Sequence, residues 1–392
     1  GITAITAVLG GVSGSTSLTV TVGGSGGPGI NVLAITVNGS LCSPATSAGY
    51  VNKPCVSVTV CSPNSTTSCQ TINDILLDTG SSGLRLFKQA LSVALTPVTS
   101  GTGGSLAECA HFADGSSDWG PVQRAVVHLG NEPAVTVPIQ VIDAAFGTVP
   151  TLCGIPDTGP AAAGFNGILG VGLFGQDCGP TCASDPLNGN YFSCSGTACT
   201  RSAVPLNNQV TNPVTALQPP DNNGVIVQLP RGPLGGMPSV SGNLILGIGT
   251  QANNTPSPTV TAYTTNSKGE IRTTLSGTTY PNSIIDTGSN GLFFPGQLPS
   301  CAPPNDTWFC PQSTASFTAV NAATLGSPSG PVSFQIGHFN NLLNTNNHAF
   351  SEVGGFAPGL FDWGLPFYFG RDVYVGFDGK TSTLGAGPYF AY

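Results

Sequence analysis

Charge is what this sequence has least of. Its 392 residues include ten lysines and arginines against eighteen aspartates and glutamates, a formal charge of -8 at pH 7. So few bases cannot build a phosphate-binding surface, and nucleic acid is not expected as a partner. Little positive charge would accumulate as carboxylates protonate, a balance that suits acid tolerance. Long apolar runs are missing as well. The opening GITAITAVLGGV is broken by glycine and threonine and is too short to span a membrane, so it reads as the first strand of a mature chain. A tight C-x-x-C pair is also absent, and His111, His128, His338 and His348 do not cluster with cysteines in sequence, which argues against a zinc site. Convincing amphipathic helices are lacking too; LFKQALSVAL (86 to 95) and FTAVNAATL (317 to 325) are the best short candidates.

What is present is glycine (54), proline (33) and short β-branched or alternating runs. They include SLTVTV (17 to 22), INVLAITVNG (30 to 39), VSVTV (56 to 60), VTVPIQVI (135 to 142), GVIVQLP (224 to 230) and DVYVGFD (372 to 378). Glycine, proline and asparagine separate them, the pattern of a turn-rich, all-β protein. The chain is longer than a single core usually serves, so two domains are expected. Twelve cysteines point to disulfides and to a secreted or extracytoplasmic location, periplasmic or cell-surface. Cys55/Cys61, Cys178/Cys182, Cys194/Cys199 and Cys301/Cys310 are the obvious local pairs, leaving Cys42, Cys69, Cys109 and Cys153. Asn38, Asn64, Asn253 and Asn305 begin N-x-Ser/Thr triplets, meaningful in a source that glycosylates.

One motif occurs twice. ILLDTGSSGLRLF (75 to 87) and SIIDTGSNGLFFP (283 to 295) agree at six of the seven positions that start from Asp78 and Asp286, and each follows an aliphatic pair. An aliphatic strand that delivers Asp-Thr-Gly-Ser places a carboxylate just past a buried strand end, where glycine permits a tight turn and nearby hydroxyls and amides reach the carboxylate. A single copy is most simply an aspartate capping its own turn. Two copies, one per half, can bring two carboxylates together; such a pair shares a proton, one member acting as base and the other as acid toward a water between them.

At this point the sequence resembles the pepsin-like bilobal aspartic peptidases. Both loops follow that family's apolar-apolar-Asp-Thr-Gly-Ser pattern, and FNGILGVGLFG (165 to 175) matches its apolar-apolar-Gly segment through Ile168, Leu169 and Gly170. DWGLPFYFGRDVYVGFDGKTSTLGAG (362 to 387) resembles the run near its C-terminus in altered form, and NLILGIGTQANN (243 to 254) resembles the opening of its second lobe. The resemblance implies a bilobal fold with pseudo-twofold related lobes and a central cleft. The N-terminal lobe is expected over 1–215, a connection over 216–235 and the C-terminal lobe over 236–392. It implies Asp78 and Asp286 as the catalytic pair and Thr79 and Thr287 as a crossed hydrogen-bond pair. Gly80 and Gly288 would offer amides, and Ser81 and Ser289 would hold the outer carboxylate oxygens. A monomer acting on extended polypeptide is implied, without metal or organic cofactor.

The departures concern the flap. In HFADGSSDWGPVQRAVVHLG (111 to 130), Phe112 stands where the family's flap tyrosine falls; Trp119 further along is either a substitute from another position or a residue that packs the core or the hairpin. Arg85 replaces the tryptophan after the first loop; a solvated surface role and pairing with an acid are both open. His111 reads as a surface residue. An acid endopeptidase is the favoured function. The alternative is a weak or inactive relative that binds peptide, a protein partner or glycan.

Overall fold

The computed structural model describes the backbone of strands Ile2–Leu9 and Val12–Thr19, and residues 29–43, 50–63, 65 and 67–392 in full. The GGSGG stretch, the end of SLTVTV and Asn64 lie outside the described residues. The fold is all-β. Among the described residues a sixteen-stranded sheet and a seven-stranded sheet hold most strands, and no helix exceeds five residues. No helix there is long and apolar enough to cross a membrane.

One arrangement of five strands occurs twice. In the first half the order is Val135–Ile142, Ser82–Phe87, Gly167–Val171, Cys69–Asp78 and Pro54–Cys61. In the second it is Gly354–Phe356, Leu292–Phe294, Asp362–Trp363, Thr278–Ile285 and Ile271–Leu275. Successive pairings run parallel, antiparallel, parallel and antiparallel in both. Each aspartate strand is thus flanked by neighbours on both sides, which explains its aliphatic end: Ile75, Leu77 and Ile285 are fully buried. A third strand threads between each aspartate strand and its continuation. Gly170 and Gly364 mark the crossing, where a Cβ would lie 2.9 Å from the Gly83 backbone and 2.1 Å from the Gly291 carbonyl oxygen. A single apolar cluster runs through both halves, joining Leu77, Leu84 and Leu169 to Ile285, Leu292 and Trp363.

Several expectations need correction. FTAVNAATL belongs to strand Ala315–Ala322, and LFKQALSVAL yields a single 3-10 turn, Lys88–Ala90. Within residues 216–235 the run GVIVQLP forms strand Gly224–Leu229, as its pattern predicts, paired on both sides within the large sheet. All twelve cysteines are paired, but Cys55 bonds Cys42, and Cys61 bonds Cys69, rather than each other. Cys55 and Cys61 lie on one extended strand, which holds them ~20 Å apart, far beyond disulfide reach. Cys178–Cys182, Cys194–Cys199 and Cys301–Cys310 form as expected, and Cys109–Cys153 completes the set. This full oxidation belongs to an oxidising compartment.

Candidate active site

The two Asp-Thr-Gly-Ser loops meet. Thr79 N donates to Thr287 Oγ1 and Thr287 N donates to Thr79 Oγ1, both at 3.0 Å. Each hydroxyl then donates across to the opposite strand: Thr79 to the Ile285 carbonyl at 3.2 Å, Thr287 to the Leu77 carbonyl at 2.7 Å. Both threonines are buried, so four polar groups that would otherwise be stranded satisfy one another. The Tyr368 hydroxyl adds a 2.7 Å bond to Thr79 Oγ1.

The lock brings the carboxylates together. Gly80 N lies 2.7 Å from Asp78 Oδ1 and 3.1 Å from Asp286 Oδ1, so one amide reaches both inner oxygens. Gly288 N donates to Asp286 Oδ1 at 2.7 Å. A Cβ on Gly80 would meet Asp286 Cγ at 2.6 Å, and one on Gly288 would meet Asp78 Oδ1 at 2.8 Å, so each glycine makes room for the other loop's acid. The outer oxygens are held by Ser81 Oγ at 2.5 Å from Asp78 Oδ2 and Ser289 Oγ at 2.9 Å from Asp286 Oδ2. Burial, followed by the negative charges of Asp78 and Asp362, raises Asp286 well above its ordinary value.

Asp362 is a third acid at this place. It is buried, and its Oδ2 lies 2.6 Å from Ser289 Oγ. Burial pushes it up to about 7, opposed by the Ser289 hydrogen bond and reinforced by Asp78. Neither Asp362 nor Tyr368 stands out in the sequence. Aligning the two threading segments on Gly170 and Gly364 sets Asp362 against Ile168 and Tyr368 against Phe174, a polar-for-apolar exchange that marks the second segment without showing what either residue touches. Tyr50 is another unpredicted neighbour: burial raises its phenol, and Asp286 and Asp78 add to the shift.

A cleft of ≈ 900 Å³ opens beside the first loop, lined by Gly80, Ser81, Arg85, Phe112, Phe174 and Asp177 and, from the second half, by residues 265–268. Its lining reaches the first loop at Gly80 and Ser81 but includes neither Asp78 nor Asp286, and a separate cavity of ≈ 810 Å³, which reaches Leu292 and Trp363, includes neither as well. The expected hairpin exists as strands Ser105–His111 and Ser117–His128, and Phe112 at its turn faces the cleft, half-buried. Trp119 does not reach the cleft. It is fully buried, packs edge-on against Phe192 at 5.5 Å and donates to the Phe146 carbonyl, because alternate residues of the hairpin point to opposite faces. His111 is exposed, as expected. Arg85 is not a solvated surface residue; it is buried with Glu108 at 2.7 Å and Asp177 at 3.4 Å.

Among the described residues one group of metal-capable atoms comes together, at Cys42, Cys55 and Asp74. Its sulfurs are bonded to each other and its carboxylate sits 2.7 Å from Lys53 Nζ, so thiolate ligation does not fit.

The chain belongs to the family described as "Protein of unknown function (DUF3443)", whose model matches residues 27–392. No curated protein matches the sequence.

Proposed function

We propose that this chain is an acid endopeptidase of the pepsin-like, bilobal kind, with Asp78 and Asp286 as its catalytic pair. The observation that carries the reading is the Gly80 amide within reach of both inner carboxylate oxygens, held there by the crossed threonines. The five-strand arrangement present in each half supports a pseudo-twofold pair of lobes, and the cleft beside Gly80 supports an extended polypeptide substrate. Two acids this close hold one proton between them. The ionised member takes a proton from a water between them as the water attacks the scissile carbonyl, and the protonated member gives its proton to the carbonyl oxygen of the tetrahedral intermediate. Its collapse breaks the C–N bond as a proton passes to the leaving nitrogen, with no covalent enzyme intermediate. Phe112 closes over the substrate by apolar contact, without the hydroxyl of a flap tyrosine. The complete pairing of cysteines supports action outside the cytoplasm, in the secreted or periplasmic space.

The test is digestion of a denatured protein and a peptide library from pH 2 to 7 by the wild type, Asp78→Asn and Asp286→Asn. Cleavage that either substitution abolishes and a statine-type inhibitor blocks is the expected result. A folded wild type that binds peptide, partner or glycan yet cleaves nothing would overturn it in favour of a binding protein.

A further inference from the structure

Ser289 has one hydroxyl hydrogen and two carboxylate neighbours. Its Oγ lies 2.9 Å from Asp286 Oδ2 and 2.6 Å from Asp362 Oδ2. Both contacts are hydrogen bonds only when one of the two carboxyl groups carries a proton directed at Ser289, because the hydroxyl donates once and accepts from the other side. The first loop has no such partner. Ser81 holds Asp78, and the residue in the place of Asp362 is Ile168, since Ile168 pairs with Leu76 as Asp362 pairs with Ile284. The third acid is therefore specific to the Asp286 side.

We propose that Asp362 is a positioning residue that shares one proton with Asp286 through the Ser289 hydroxyl. In one arrangement Asp286 Oδ2 donates to Ser289 and Ser289 donates to ionised Asp362; in the other, protonated Asp362 donates to Ser289 and Ser289 donates to ionised Asp286. They interconvert when the Asp286 proton passes to Ser289 Oγ as the Ser289 proton passes to Asp362, which conserves protons and charge. The inference rests on the peptidase reading for its consequence: charge at Asp362 keeps a proton on Asp286, so the Asp78/Asp286 pair stays singly protonated at higher pH than two carboxylates alone would.

The surroundings favour this. Asp362 is 4% exposed and its Oδ1 has no protein hydrogen-bond partner. The groups that bear on it are Asp286 and Ser289 from the second loop, Asp78 from the first and the Tyr368 hydroxyl from the turn Leu365–Tyr368. The flanking strands bring Ile284, Ile285, Leu292 and Phe293, so no cation neutralises the site from them. Burial and like charge therefore raise both acids together, the condition under which they titrate as a pair.

Carbon-13 NMR of selectively labelled aspartate carboxyls, read beside the pH profile of peptide cleavage, tests the proposal. In the wild type Asp362 and Asp286 should titrate in step, with Asp362 near neutral pH, and Ser289→Ala should separate the two curves. Asp362→Asn keeps a polar partner for Ser289 but cannot carry the charge. It should lower the Asp286 midpoint and move the alkaline limb of kcat/KM down by about one pH unit, a ~10-fold effect on that limb, with KM little changed. A purely structural Asp362 would alter thermal stability and leave the limb in place, which overturns the proposal. So does an Asp362 that titrates near its unperturbed value of about 4. If Asp362→Asn does not fold, the wild-type titration decides. A wild type that cleaves nothing at any pH sinks the peptidase reading by itself, because the NMR titration does not depend on turnover.

Discussion

At the scale of single residues, the candidate site depends on places where no side chain fits. The 2.6 Å approach of a Gly80 Cβ to Asp286 Cγ means that alanine there must push the acid aside. Displacement of a reacting group by about 1 Å costs ~100-fold in rate. Gly80→Ala should therefore lower kcat/KM by about that factor, while Gly101→Ala, which meets nothing within 4 Å, should leave it unchanged. Equal activity in the two variants would remove Gly80 from the site. These glycines, both aspartates and the threonine lock were legible in the sequence because the motif is contiguous and repeated. Asp362 was not, because its link to Asp286 runs through Ser289, 73 residues away.

At the scale of elements, the hairpin beside the cleft is fixed close to its turn by covalent and ionic contacts. Cys109, opposite Trp119 in the hairpin, is bonded to Cys153, and Glu108 on the same strand pairs with Arg85 beneath. Replacing Arg85 by methionine strands Glu108 and Asp177 as buried acids. Removing one partner of a buried pair costs ~3–5 kcal/mol, so chemical denaturation should register a loss of that order, and adding Glu108→Gln should restore part of it. A change below about 0.5 kcal/mol, as for a surface residue, would refute the ionic role. Strand Ala315–Ala322 shows why some elements were misread. It alternates faces, but Val320 points outward and Asn321 inward, where Asn321 accepts from Thr273 Oγ1 and donates to the Tyr392 hydroxyl. A polar residue facing in and an apolar one facing out erase the period of two that marks a strand.

At the scale of the whole molecule, buried acids raised by desolvation set the response to pH, for Asp118 against the opposing charge of Arg85. Burial pushes Asp118, whose two carboxylate oxygens have no hydrogen-bond partner, up to about 7, as it does Asp362. Unfolded, an aspartate titrates near 4. A raised carboxyl adds stability that is fully present below the unfolded value and is lost as pH rises through the folded one, here between about pH 4 and 7. With only ten lysines and arginines, little cationic repulsion opposes this at acid pH. Tm should therefore be several degrees higher at pH 4 than at pH 8, and Asp118→Asn should flatten the difference. A Tm that rises toward pH 8 would contradict the assignment.

The sequence by itself determined that this is an all-β, disulfide-bonded chain with two copies of one acidic loop, because strand period, turn residues and a repeated motif are properties of neighbouring residues. Tertiary structure alone decided how Cys42, Cys55, Cys61, Cys69, Cys109 and Cys153 pair, that Arg85 is buried and Trp119 turned away from the cleft, and that Asp362 is linked to Asp286. Each of those outcomes depends on which face of a strand meets which neighbour, and the sheet settles that only when distant strands come into register.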